Sequence, residues 1–146
     1  MTQPIDEEAA RRRERSLGHM FSKVPFNVAL KLELVDADEH HAQVRMPFQA
    51  MVDNGGTTYH GGAVASLLDA AGGAASWSGH DFTRWPAKGS TVSLTTNFVG
   101  AGRDEDLFAD ARVVRRAKEL VFLDITVESA SGSLVASGVM VYRIVA

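Results

Sequence analysis

The chain has 146 residues, a formal net charge of −3, 45% hydrophobic and 23% charged residues, the balance of a single globular domain able to bury a core without staples. It has no cysteine, which excludes disulfides, thiolate metal sites and a cysteine nucleophile together. The acidic balance provides no field for nucleic acid, and no apolar run approaches the ~20 residues that span a bilayer.

The opening stretch MTQPIDEEAARRRERS has no apolar signal-peptide core, so a cytoplasmic protein is expected. Residues 5–16 read as helix, with Glu7 facing Arg11 and Glu8 facing Arg12 at i,i+4, the acid before the base. The run Arg11-Arg12-Arg13 has the composition of a nucleic-acid or membrane patch, but a salt-bridged solvated helix accounts for it better. An N-terminal helical segment is expected over 1–22 and the main domain over 23–146.

Residues 27–36 place Val28, Leu30, Leu32 and Leu34 on one face at period two, which predicts a strand. Residues 41–48 repeat the pattern with Ala42, Val44 and Met46 after a polar turn, completing a hairpin. Residues 49–60 carry loop chemistry around Asn54-Gly55-Gly56. Residues 61–78 are small or apolar on nearly every face, with Asp69 the one charge, the signature of a buried helix. A loop over 79–88 leads to four strands at 89–99, 105–115, 119–129 and 133–145, joined by turns short enough for antiparallel neighbours. An antiparallel sheet with a helix on one face is an α+β architecture. One helix covers only part of so wide a sheet, so the N-terminal helix or another subunit must cover the rest.

The chemistry concentrates around the helix. A carboxylate in an apolar helix is costly unless paired, protonated or functional. No Arg or Lys lies within four residues of Asp69. A buried aspartate bonded to distant backbone amides is the structural alternative. His60-Gly61-Gly62 opens the same helix, where free N–H groups and the positive end of the macrodipole meet. Glycines there admit a ligand to the backbone, which suits an oxyanion hole; a plain glycine turn has the same composition. Asn54, just upstream, is placed to orient water or a carbonyl, though Asn-Gly is also a common turn pair. Gly72-Gly73 costs roughly 1 kcal/mol per glycine in a helix interior, so close packing against the sheet or a dimer axis must compensate.

Taken together, Asn54, His60-Gly61-Gly62 and Asp69 in the run NGGTTYHGGAVASLLD resemble the motif of hotdog-fold acyl-CoA thioesterases of the phenylacetic-acid-degradation (PaaI-like) type. Residues 90–100 and 131–144 are similar to that family's closing strands, and the resemblance covers about residues 24–145. It implies a long helix wrapped by a curved antiparallel sheet, and dimers or dimers of dimers whose active sites lie at the subunit interface. It also implies that Asp69 of one subunit is general base or nucleophile. The Gly61 N–H and Asn54 side chain of the other would bind the thioester carbonyl, with His60 and Gly62 beside them. Thr91 matches a hydroxyl position that helps place water. Arg115, Arg116 and Lys118 match basic positions that meet the CoA phosphates. The bottom-up reading agrees that three cations near one turn suit phosphate, a solvated turn being the alternative.

Other readings fit less well. His-Gly-Gly also occurs in the oxyanion loop of lipase-like hydrolases, but their G-x-S-x-G elbow is absent from this sequence. Asp38-Glu39-His40-His41 lies in a hairpin turn without metal-site spacing; no metal or cofactor is expected. Trp77, Phe82 and Trp85 are expected in a pocket or the core. A hotdog dehydratase and a non-catalytic acyl-CoA binder remain as alternatives to the thioesterase.

Overall fold

A computed structural model describes residues 4–146. Helix α1 (Pro4–Ser22) and a short helix α2 (Pro25–Ala29) precede strands β1 (Glu33–Ala37) and β2 (His41–Met46). Helix α3 (Gly61–Ser78) follows, then β3 (Lys88–Phe98), β4 (Leu107–Ala117), β5 (Leu120–Ser129) and β6 (Leu134–Val145). The six strands form one antiparallel sheet in the order β1-β2-β4-β5-β6-β3. α3 lies across one face and touches every strand. The fold is α+β, a long helix wrapped by an antiparallel sheet.

Alternation along the strands builds the core. Val44, Ala109, Ala111, Leu123, Ile125 and Val127 point at α3, and all are at most 2% exposed. Leu67 and Leu68 of α3 meet them at 0% exposure. Each of the valine, leucine and isoleucine side chains among them contributes roughly 1.5–3 kcal/mol by leaving water. Gly72 packs against Met140 and Ile125, and Gly73 against Met20 and Tyr142. The glycine pair therefore fits α3 to the sheet and to α1, and no dimer axis is needed to explain it.

Two stretches depart from the periodicity. Residues 27–30, expected as strand, lie in and just after α2, because Pro25 occupies the first helical turn, where its fixed φ is pre-set and its missing N–H costs nothing. Lys31, at φ 56°, then reverses the chain into β1. Leu30 and Leu32 are buried as the alternation requires, but Val28 faces solvent. α1 runs past the charged stretch 5–16 to Ser22, the end of the expected N-terminal segment, and Leu17, Met20 and Phe21 on its last two turns pack on the core.

The arginines of α1 make more than surface pairs. Glu8 holds Arg11, Arg12 and Arg15 at 3.1–3.3 Å. Arg12 also donates to the Phe82 carbonyl at 3.1 Å, and Arg13 to the Ser78 carbonyl at 2.7 Å. The last carbonyls of a helix have no intrahelical partner and carry partial negative charge. Arg13 thus caps α3 and fastens α1 to it.

Candidate active site

α3 begins where His60 leaves the loop with φ −59° and ψ 133°. The His60 Nδ1 accepts the Gly62 N–H at 2.8 Å. The Ala63 and Val64 N–H groups both donate to the His60 carbonyl. Of the first four helical N–H groups, only that of Gly61 has no acceptor among the described residues. Gly61 is exposed, and the Phe98 ring lies 3.7 Å from where its Cβ would stand. The helix start thus offers one free donor, Gly61, while Gly62 is engaged by His60 acting as N-cap.

Asn54 belongs to the same end. The loop that carries it is pinched by pairing of Asp53 with Tyr59, and the Asn54 N–H donates to Thr58 O. Its Oδ1 accepts the Gly56 N–H at 3.1 Å. That bond orients the amide and leaves Nδ2 without an acceptor among the described residues.

Asp69 lies two turns further along. The sequence leads one to expect a buried carboxylate; in the structure Asp69 is exposed. The stripe of α3 that carries Gly61, Gly62 and Asp69 is the one its own sheet does not cover. Thr91 Oγ1 donates to Asp69 Oδ1 at 2.6 Å, a short charge-assisted bond from strand β3. Beneath them Tyr142, the β6 partner of Thr91, has its phenol pushed up by burial, against the pull of the Trp77 hydrogen bond, with Asp69 adding to the rise. β3 is an edge strand, exposed or half-buried along its whole length and hydrogen-bonded only to β6.

Eight residues separate Gly61 from Asp69, which is about 12 Å along an α-helix. A free N–H at one position and a carboxylate at the other do not meet on one carbonyl carbon within one chain. The chain therefore carries two separate candidate half-sites: a donor pair (Gly61, Asn54) and a carboxylate–hydroxyl pair (Asp69, Thr91).

The cations sit elsewhere. Arg115 and Lys118 are exposed near the β4–β5 turn. Arg116, expected to be available to phosphate, points inward and donates to the carbonyls of Ser76 (3.1 Å), Ala75 (3.2 Å) and Glu39 (3.1 Å). Burial pulls its pKa down, and the nearby Glu39 carboxylate opposes the fall. Its register opposite Val121, on the helix side of the sheet, aims it at the α3 C-terminus. His41 and Asp110 form a 2.9 Å pair across β2 and β4, away from both half-sites. Among the described residues no three His, Asp or Glu side chains gather as metal ligands.

The thioesterase superfamily model matches residues 56–136, from the loop before α3 into β6. The chain belongs to the thioesterase superfamily. It is a thioester hydrolase of the hotdog fold, and its solved neighbours share that fold. The conserved protein PA5202 of Pseudomonas aeruginosa superposes with a TM-score of 0.76 at 27% identity, covering 83% of this chain and 94% of that one. A thioesterase family protein of Silicibacter pomeroyi gives 0.83 at 20% identity, over 91% and 98% of the two chains. The PaaI protein of the E. coli phenylacetic acid degradation operon gives 0.73 at 22% identity, over 95% and 97%. No curated protein matches the chain in sequence. Within this superfamily member, sequence reasoning missed the contact of Phe98 with Gly61 and the seat of Tyr142 below Thr91. Both are single positions in alternating strands, where only the paired register reveals the neighbour.

Proposed function

We propose that the protein hydrolyses acyl-CoA thioesters at sites shared between two subunits. The observation that carries this reading is the 12 Å separation, roughly, of the two half-sites along α3, each exposed in the protomer. A two-fold dimer joined along the free edges of β3 supplies what each lacks. Thr91, bonded to Asp69, and Phe98, packed on Gly61, lie on either side of Leu94 and Thr95 in β3. Antiparallel pairing centred there sets Asp69 of one subunit against Gly61 of its partner. It also removes an eleven-residue unpaired edge.

In that site the Gly61 N–H and the Asn54 amide bind the thioester carbonyl oxygen and stabilise the charge that develops on it. Asp69, held by Thr91, takes a proton from water as the oxygen attacks the carbonyl carbon. The tetrahedral intermediate collapses with cleavage of the C–S bond, and the CoA thiolate takes up a proton. Direct attack by the carboxylate, followed by hydrolysis of the anhydride, uses the same groups. The outer sheet face carries exposed Val114 and Val139, an apolar surface that supports pairing of dimers into a tetramer. The absence of a helix long and apolar enough to cross a membrane among the described residues accords with a cytoplasmic site of action.

Incubation with acyl-CoA and a thiol reagent tests the activity. Thiol release supports the reading; enoyl-CoA hydration without thiol release indicates a dehydratase, and binding alone indicates a carrier. Arg115 and Lys118 are assigned to the CoA phosphates. Replacing both by Ala is expected to raise KM with little change in kcat, because such contacts hold ground and transition states alike. The defect should shrink with a pantetheine thioester. Arg116→Ala is expected instead to lower the melting temperature, since three helix-end and loop carbonyls lose their donor, at a cost of roughly 2–4 kcal/mol. An unchanged KM in the double variant would move the phosphate contact to Arg84, Lys88 or Arg143.

A further inference from the structure

Asp69, Gly73 and Trp77 recur every four residues and so form one stripe on α3. Strand β3 and the segment before it run alongside in the opposite sense. Thr91 bonds Asp69, Gly89 lies so close to Trp77 and Tyr142 that a Cβ there would come within 2.8 Å of both, and Ala87 lies beyond. The stripe ends in a cleft of about 290 Å³ between α1 and α3, bordered by His19, Met20, Trp77, Trp85 and Ala87. Its inner wall, Met20, stands 3.4 Å from the Cβ position of Gly73, one turn from the carboxylate. Trp77 is fixed by its indole N–H on the Tyr142 hydroxyl at 3.0 Å and by Phe82, whose ring stacks at 5.9 Å. Trp85 in turn lies 5.9 Å from Phe82.

We infer that this cleft receives the far end of the acyl group, so that the substrate is an acyl thioester whose apolar tail reaches about two helical turns, ~12 Å, past Asp69. The inference rests on the thioesterase reading above and names its substrate class. Met20, Trp77, Trp85 and Ala87 give it an aromatic and aliphatic surface, beside the polar side chains of Arg15, Ser16 and His19, a mainly apolar pocket with a few polar groups. An apolar cavity on the order of 150 Å³ takes one benzene ring, so this cleft accepts a ring or the end of a chain of about eight carbons. Met20 is the adaptable wall, since an unbranched thioether repacks around different shapes. α1 thereby sets acyl length.

Three substrates read the inference: acetyl-CoA, octanoyl-CoA and phenylacetyl-CoA. Ala87→Phe fills the cleft and should lower the octanoyl-to-acetyl ratio of kcat/KM by about tenfold or more. Met20→Ala enlarges it and should raise that ratio. The phenylacetyl arm shows whether a ring or a linear tail fits better. Ratios that stay within about twofold in both variants would overturn the inference, while acetyl-CoA turnover in the same assays keeps the thioesterase reading standing. The chain's two tryptophans both border the cleft, which gives a second readout on the wild-type protein should Ala87→Phe fail to fold. Octanoate should shift tryptophan emission and acetate should not. Emission indifferent to octanoate would overturn the proposal. An emission shift without cleavage of any acyl-CoA would uphold the cleft and reject the hydrolase.

Discussion

Asp69→Asn is expected to lower kcat by roughly 10²–10⁴-fold, the loss typical of a removed general base. The fold should survive. Asn is nearly isosteric, and Asp69 is exposed in the protomer with Thr91 as its hydrogen-bond partner. A hydroxyl donates to an amide oxygen as it does to a carboxylate, only less strongly, so the melting temperature should move little. KM should change far less than kcat, because Gly61 and Asn54 still hold the carbonyl. Steady-state kinetics and a thermal melt on both proteins check this. A variant that keeps more than about a tenth of wild-type kcat would make Asp69 a structural residue, since that loss falls short of any catalytic carboxylate.

The second large effect is expected from Gly61→Pro. Proline suits the first position of a helix, where its φ is pre-set and its missing N–H breaks no helical bond. His60, with ψ 133°, already has the extended backbone a following proline requires. Added atoms meet the Phe98 ring at ordinary contact distance, 3.7 Å for the Cβ. What the substitution removes is the one unpaired N–H of the helix start. Loss of a single oxyanion donor typically costs 10²–10³-fold in kcat, about 2.7–4 kcal/mol. Gly61→Ala keeps the N–H and should stay close to wild type. Equal activity of the alanine and proline variants would show that the carbonyl is polarised elsewhere.

Much of this was legible in the sequence, and the misses have physical causes. α3 could be read from Gly61 to Ser78 because its composition changes sharply at both ends. The last four strands could be read because alternation and short turns agree. Residues 27–30 misled because Val28 and Leu30 alternate as in a strand, while Pro25 favours a helical turn that periodicity alone does not weigh. The motif at 54–69 supplied the groups proposed for the reaction, since carboxylate, glycine backbone and amide each have a chemical reason to be there. Their division into two groups came only from the family resemblance; the residues alone did not give it, because it depends on the rise of a helix and on which of its faces the sheet leaves open. Arg116 shows the limit of composition. Three cations near one turn look alike in sequence, yet the register of β4 sends Arg116 inward to the helix carbonyls and leaves Arg115 at the surface. Exposure of Asp69 was missed for a related reason: a helix apolar on nearly every side reads as covered on every side, yet the chain's own sheet leaves the stripe with Asp69 open.

The shared site can be tested by crossing the two lesions. Asp69→Asn and Gly61→Pro chains, carrying different tags and co-expressed, give a heterodimer that two successive affinity steps isolate. If each site takes Asp69 from one subunit and Gly61 from the other, one site of the heterodimer bears both lesions and the other bears none. The heterodimer should then show about half the wild-type activity per dimer, although both parental homodimers are nearly inactive. Activity no higher than that of the parents would mean that Asp69 and Gly61 act within one chain, and would contradict the interface mechanism.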